Sequence, residues 1–294
     1  MEEEIVRLGS NQRLVGIVTP AADETGAPAV IILNAGIVHR VGPNRLHVRL
    51  ARRLAAQGHT VLRFDLSGIG DSAADVAAES LEASLFSDLR AATDFLGARG
   101  HDRFILFGLC SGAHLAVFYS PTDERVVGTV LIDPEIPPTV KSLVVKIRSR
   151  LLRPQAWWSL LTGRLSLLPQ LRAATGSGPT EPAGNAALET GTEALRSMVA
   201  RGAQLFVIFT GGHRWCNYRE HFLDVFPSID FGEQLRLEYR EEADHIFSFE
   251  ESQRRLVESV AEWTASAGFR SPAATPETVE VRAAGQRDRS DHAL

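Results

Sequence analysis

Cys110 stands between Gly108 and Gly112 in the run Phe104-Ile105-Leu106-Phe107-Gly108-Leu109-Cys110-Ser111-Gly112-Ala113-His114, where an apolar strand feeds a helix start built of small residues. That is the layout of a nucleophile elbow, in which the reactive side chain sits on a strained strand-to-helix turn and flanking glycines allow the close backbone approach the turn needs. The spacing puts Cys110, not Ser111, at the tip. A thiol ionises far more readily than a hydroxyl, so a histidine can activate it with less help from a third group. His245 is the candidate base: it follows the last expected strand and precedes the last helix, in Glu241-Glu242-Ala243-Asp244-His245-Ile246-Phe247-Ser248. A lone histidine is more often structural, and it is the elbow upstream that gives this one weight. For a third member the best carboxylate is Asp133, at the end of the strand after the elbow helix. Asn217 is the alternative, because an amide can orient an imidazole, and a Cys-His dyad would need neither.

Acyl transfer also requires donors aimed at the developing oxyanion. The N–H of Ser111, immediately after the nucleophile, and the N–H of Ile37, in the loop Asn34-Ala35-Gly36-Ile37 that follows an apolar strand, are the pair this order suggests; a plain strand end is the other reading of that loop. His39, His213, Trp215 and Asn217 are the expected substrate-facing side chains. The spacing of His213, Cys216 and His221 matches no zinc pattern, and no metal or cofactor is expected. The glycine-containing stretch Asp65-Leu66-Ser67-Gly68-Ile69-Gly70-Asp71-Ser72 reads as a tight loop rather than as catalytic machinery.

The elements that must position these groups alternate. Short antiparallel strands are expected over residues 4–8 and 13–19, then strands 29–34, 60–64, 103–107, 126–132, 204–209 and 234–239, with helices over 46–56, 81–98, 113–119, 219–225 and 248–265 between and after them. Strand and helix in alternation imply a mostly parallel sheet with helices on both faces, which binds ligands at the C-terminal ends of its strands. Residues 135–201 interrupt the pattern and read as a helical lid inserted into a core of residues 1–134 and 202–268. Residues 269–294 lack periodicity and read as a disordered tail. From Ile136 to Gly176 the lid carries Lys141, Lys146, Arg148, Arg150, Arg153, Arg164 and Arg172 and no Asp or Glu. These are either solvated helix faces or a patch that attracts an anionic or carrier-bound substrate.

The 294 residues carry a formal net charge of -5, which argues against a nucleic-acid partner. The N-terminus has no signal-peptide pattern and no run is long and apolar enough to span a bilayer, so a cytoplasmic location is expected. Two cysteines fit a reducing compartment. A dimer is compatible with all of this.

Together, Asn34-Ala35-Gly36-Ile37-Val38-His39-Arg40-Val41-Gly42-Pro43-Asn44-Arg45, the loop at 65–72, Gly108-Leu109-Cys110-Ser111-Gly112-Ala113 and Asp244-His245 resemble the α/β-hydrolase superfamily, and more narrowly its serine-aminopeptidase-like (S33) and exosortase-associated branches. The resemblance covers roughly residues 1 to 268. It implies an α/β fold with a mostly parallel eight-stranded sheet, flanking helices and an inserted lid. It also implies Cys110 as nucleophile, His245 as base, and Ile37 and Ser111 as oxyanion donors. Such a site would hydrolyse or transfer a small-molecule ester or thioester. The acid that the family places after the penultimate strand is absent from Thr210-Gly211-Gly212-His213-Arg214-Trp215-Cys216-Asn217-Tyr218. Lyases and cyclases of natural-product pathways occur on the same fold, as do non-catalytic binding proteins, and these are the alternative readings.

Overall fold

Val30 and Ile32 lie in one hydrophobic cluster and Ile31 and Leu33 in another, on opposite faces of the same strand. That two-residue alternation with apolar residues on both sides is what a central strand covered by helices on each face requires. The computed structural model describes residues 2–9, 11–23, 25–151, 182–213, 216–266 and 269. Eight strands form one sheet: β1 (Glu4–Leu8), β2 (Leu14–Thr19), β3 (Ala29–Ile32), β4 (Val61–Phe64), β5 (Phe104–Leu109), β6 (Val126–Ile132), β7 (Gln204–Thr210) and β8 (Leu235–Arg240), in the order β1-β2-β4-β3-β5-β6-β7-β8. The β1–β2 and β2–β4 pairs are antiparallel, and every pair from β4 to β8 is parallel. Because β3 to β8 all run parallel, their C-terminal ends share one edge, and the strand order reverses at β3, where such sheets open a crevice.

The described helices are α1 (Leu46–Ala55), α2 (Leu81–Gly97), α3 (Ser111–Tyr119), α4 (Val140–Leu151), α5 (Pro182–Ala200), α6 (His221–Val225) and α7 (Glu250–Thr264). One face of the sheet is covered by α1 and α7, through Leu46, Leu50, Leu54, Leu256 and Val260. The other is covered by α2, α3 and α5, through Leu89, Leu96, Ala113, Leu195 and Met198. Ser80 caps α2 by accepting the Ala83 N–H at 3.1 Å, a contact worth about 1 kcal/mol.

Three features differ from the sequence reading. Helix α3 begins at Ser111, directly after Cys110, two residues earlier than the pattern suggested. The boundary between core and insertion runs through α5 rather than after residue 201, because Leu195 and Met198 are fully buried in the sheet-side cluster. Phe269 belongs to the core and not to a tail: it is buried, its ring lies 4.8 Å from that of Trp263, and its carbonyl accepts from Arg103 at 3.1 Å. The rest of the expected tail and the middle of the expected lid lie outside the described residues.

His47 on α1 is buried under Gly42, edge-on to Phe107 with ring centroids 5.8 Å apart. Neither of its ring nitrogens has a hydrogen-bond partner. Burial, reinforced by the nearby Arg63 charge, pushes its pKa down to about 3.

Candidate active site

The end of β5 turns sharply at Cys110, which has φ 57° and ψ -116°. A non-glycine residue in this region is strained by roughly 1–3 kcal/mol and persists only where its surroundings dictate it. Here they do. A Cβ on Gly108 would run into the backbone of Gly112 and Ala113, and one on Gly112 would lie 2.6 Å from the Asn34 carbonyl oxygen. The two glycines let strand, turn and helix pack backbone to backbone, and Cys110 is left half-buried at the tip with its carbonyl accepting the first α3 amides, Ala113 at 3.0 Å and His114 at 3.1 Å.

The loop after β3 is held beside the elbow by two sets of contacts. Ser111 Oγ accepts the Gly36 N–H at 2.8 Å. Behind it the buried Asp65 carboxylate accepts the Arg40 N–H at 2.6 Å, the Asn34 side-chain amide at 3.2 Å and the Asp71 N–H at 3.2 Å, and pairs with the Arg40 guanidinium. Gly70 has φ 54° and faces that carboxylate so closely that any Cβ would collide with it. The 65–72 stretch is therefore the structural loop its composition suggests, and its task is to fix residues 34–40. The loop amide that the structure ties to Ser111 is that of Gly36. The Ile37 side chain, next in line, is 92% exposed.

Asp133 directly follows β6, is fully buried, and has φ 45°. Its Oδ1 accepts the Thr210 N–H at 2.8 Å. Its Oδ2 accepts the Thr210 hydroxyl at 2.6 Å and the His245 Nδ1–H at 2.8 Å. A carboxylate can only accept, so Nδ1 carries the proton and Nε2 keeps its lone pair. The hydrogen bond to Asp133 raises the His245 pKa above the usual 6.5, against the opposing effect of burial. The His245 loop is itself pinned: Gly212 donates to the Ala243 carbonyl at 3.2 Å, Asn44 Nδ2 to the Ile246 carbonyl at 3.0 Å, and Ser248 N–H to Asp244 at 2.8 Å.

Cys110, Asp133, His213 and His245 line one cavity of about 830 Å³. His213 takes the Cys216 N–H at 2.9 Å, and burial lowers its pKa. Cys216 is buried, and its thiol is pushed up strongly by that burial. His221 Nε2 meets the Pro137 carbonyl at 2.9 Å. The other expected site residues lie elsewhere. Asn217 donates its amide to the Ser142 carbonyl at 2.8 Å, which ties it to α4 and leaves the place beside His245 to Asp133. His39 is exposed and its Nδ1 meets the N–H of Val41 in its own loop at 3.4 Å. Neither residue is among the described lining of the cavity. Trp215 lies outside the described residues. Glu135 and His114, which the sequence reading did not single out, do line the cavity; Glu135 follows Asp133 by two residues and His114 lies one helical turn beyond Cys110, spacings that could have flagged both.

Of the seven basic residues of the insertion, Lys141 is engaged, 3.5 Å from Asp224 and 4.3 Å from the Tyr218 ring centroid. Lys146, Arg148 and Arg150 lie on α4, while Arg153, Arg164 and Arg172 lie outside the described residues. Among the described residues no helix is long and apolar enough to cross a membrane.

The chain is similar in structure to the esterase domain of a Rhodothermus marinus protein (18% identity, TM-score 0.53, covering 89% of this chain and 96% of that one). It is likewise similar to an esterase from Pyrococcus furiosus (16%, 0.58, 89% and 90%) and a thermophilic esterase from Thermogutta terrifontis (18%, 0.52, 90% and 98%). At these identities the likeness concerns the fold. No curated protein sequence matches the chain. A family model described as the alpha/beta hydrolase family matches residues 37–286. Eight strands in this order, the elbow at the end of β5 and a match over most of the length place the chain in the alpha/beta hydrolase family.

Proposed function

We propose that this protein hydrolyses or transfers an ester or thioester of a small-molecule acid through a Cys110-His245-Asp133 site. The observation that carries the reading is the Asp133–His245 hydrogen bond at 2.8 Å in the same cavity as a cysteine at the strained elbow tip. His245 Nε2 removes the thiol proton, and the Cys110 sulfur attacks the acyl carbon. The oxyanion that forms is held by the N–H groups of Ser111 and Ile37, since the Gly36 N–H is already taken by Ser111 Oγ. Collapse of the tetrahedral intermediate breaks the bond to the leaving alcohol or thiol, which takes the proton from His245 and leaves a thioester on Cys110. Water, or an acceptor alcohol or thiol, then gives its proton to His245 and attacks that thioester, releasing Cys110 as the thiol. Asp133 holds the imidazole in the tautomer and orientation this requires and favours its protonated form between the two half-reactions.

Intact-mass measurement after acid quenching, following incubation with an activated ester and an activated thioester, tests the reading directly. An added acyl mass on Cys110 is expected, together with turnover that is lost in Cys110→Ala. Turnover in Cys110→Ala at the rate of the unaltered protein overturns it.

A further inference from the structure

The cavity that begins at Cys110 changes character along its length. Its polar end is formed by Asp133, Glu135, His213 and His245. Away from these it runs between three helices, past Val117 and Phe118 of α3, Leu188 and Leu195 of α5, and Phe222 and Phe226 of α6. No lysine or arginine lines it among the described residues, and its two carboxylates disfavour an anionic group inside. A space of this size, continuous with a nucleophile and walled by aliphatic and aromatic side chains, fits a linear apolar group attached to the reacting carbonyl. We propose that the space between α3, α5 and α6 is the acyl-chain chamber of the site, that it takes unbranched saturated acyl groups of medium length, and that Gly191 sets its width. The inference rests on the acyl-transfer reading above.

Gly191 is the residue that makes the chamber open. It lies in the interior of a 19-residue helix, where glycine costs about 1 kcal/mol relative to alanine, and it has no capping task. It is buried, and its face is turned to α3: a Cβ there would lie 3.7 Å from Phe118 Cζ, in ordinary contact. Alanine fits that gap, and anything longer must project past the Phe118 ring into the cavity. Leu188, Gly191 and Leu195 recur at helical spacing on the cavity side of α5, and at 1.5 Å per residue this stripe runs about 10 Å, the length of roughly eight methylenes. His114 stacks on Phe118 with ring centroids 4.4 Å apart and so holds the ring that faces Gly191.

The test separates the chamber from the chemistry. Alkan-1-ols of four to twelve carbons are titrated into Cys110→Ala, which cannot turn over, and binding is read by calorimetry. Affinity is expected to rise about fourfold per methylene and to level off near eight to ten carbons. In Cys110→Ala/Gly191→Leu the gain should stop two or more carbons earlier. In parallel, p-nitrophenyl esters from acetate to laurate are compared between the unaltered protein and Gly191→Leu, with the chain-length optimum expected to move to shorter acyl groups. Thermal melts of Gly191→Leu and Gly191→Ala confirm that both fold. A chain-length gain in binding without any ester turnover would keep the chamber and sink the acyl-transfer reading. Affinity that is flat with chain length, or a gain that a folded Gly191→Leu leaves unchanged, overturns the proposal.

Discussion

The proposed role of Cys110 rests on where the backbone puts it, at the strained tip of the β5–α3 turn, and substitution at that position should separate placement from chemistry. Cys110→Ala removes the attacking atom and is expected to abolish turnover. Cys110→Ser keeps an attacking oxygen at the same φ of 57° but ionises far less readily, so a small fraction of the rate should remain. Full activity in Cys110→Ala with loss in Ser111→Ala would mean that the elbow acts in the other register. Asp133→Asn should lower kcat/KM about 10–100-fold, short of the loss for His245→Ala, which removes the proton acceptor itself. The sign of its pH effect follows from the raised His245 pKa. The base must be neutral, so the acid limb of kcat/KM for the unaltered protein should lie above 6.5. Removing the carboxylate that raises it should move that limb downward. A limb that stays in place in Asp133→Asn would show that Asp133 does not act on His245. Asn217→Ala, which loses only a tie to Ser142, is expected to leave that limb untouched and to cost more in melting temperature than in rate.

At the scale of elements, the two elbow glycines are where strand and helix meet without side chains between them. Gly108→Ala has to push its methyl group into the Gly112 and Ala113 backbone, which cannot yield as a flexible side chain would. It should lower the melting temperature and activity together, whereas Gly191→Ala, whose methyl group would make only ordinary contact with Phe118, should raise the melting temperature slightly. An unchanged melt for Gly108→Ala would contradict the packing described for the turn. The glycine spacing is also why the elbow was legible in the sequence: it is a local signal, complete within five residues. Asp133 was legible as a carboxylate at the right strand end. It stood ahead of Asn217 on that ground, but its tie to Thr210 was not legible, because that depends on the β6–β7 register that sets Thr210 beside Asp133. The Ser111–Gly36 hydrogen bond joins residues 75 positions apart, and the chamber needs α5 to be docked on α3. Neither is written in any short window. The sequence places His39 and Asn217 in loops facing substrate; in the structure His39 meets Val41 of its own loop and Asn217 is tied to Ser142 of α4. The membership of Phe269 in the core was hidden by the aperiodic residues around it.

The whole molecule keeps several histidines neutral. Burial lowers the pKa of His47, His59, His213 and His221, that of His47 to about 3. Between their unfolded value near 6.5 and their folded values, the unfolded chain binds more protons than the folded one. Stability is therefore full above about 6.5 and falls as the pH drops through that window. His245 runs the other way: its raised pKa contributes stability below 6.5 that is lost as pH climbs through its folded value. With four groups against one, urea midpoints should decline from pH 7 toward pH 4. His47→Leu, which removes a ring with no hydrogen-bond partner, should flatten that decline by about one proton's worth of slope. An equal slope in the variant would mean that His47 is not the neutral, unpartnered group described.

The buried Asp133 carboxylate has a further consequence, in the order of assembly. It joins β6 to Thr210, 77 residues away, and to His245, 112 residues away. Contacts of such sequence separation form late, after the loops they close have been ordered. Until β7 and β8 dock, the carboxylate lacks the partners that make its burial tolerable. Refolding intermediates should therefore hold the elbow and its β5 neighbours well before they hold the Asp133–His245 pair, and the proposed turnover would emerge as a clock for the final docking event rather than for collapse.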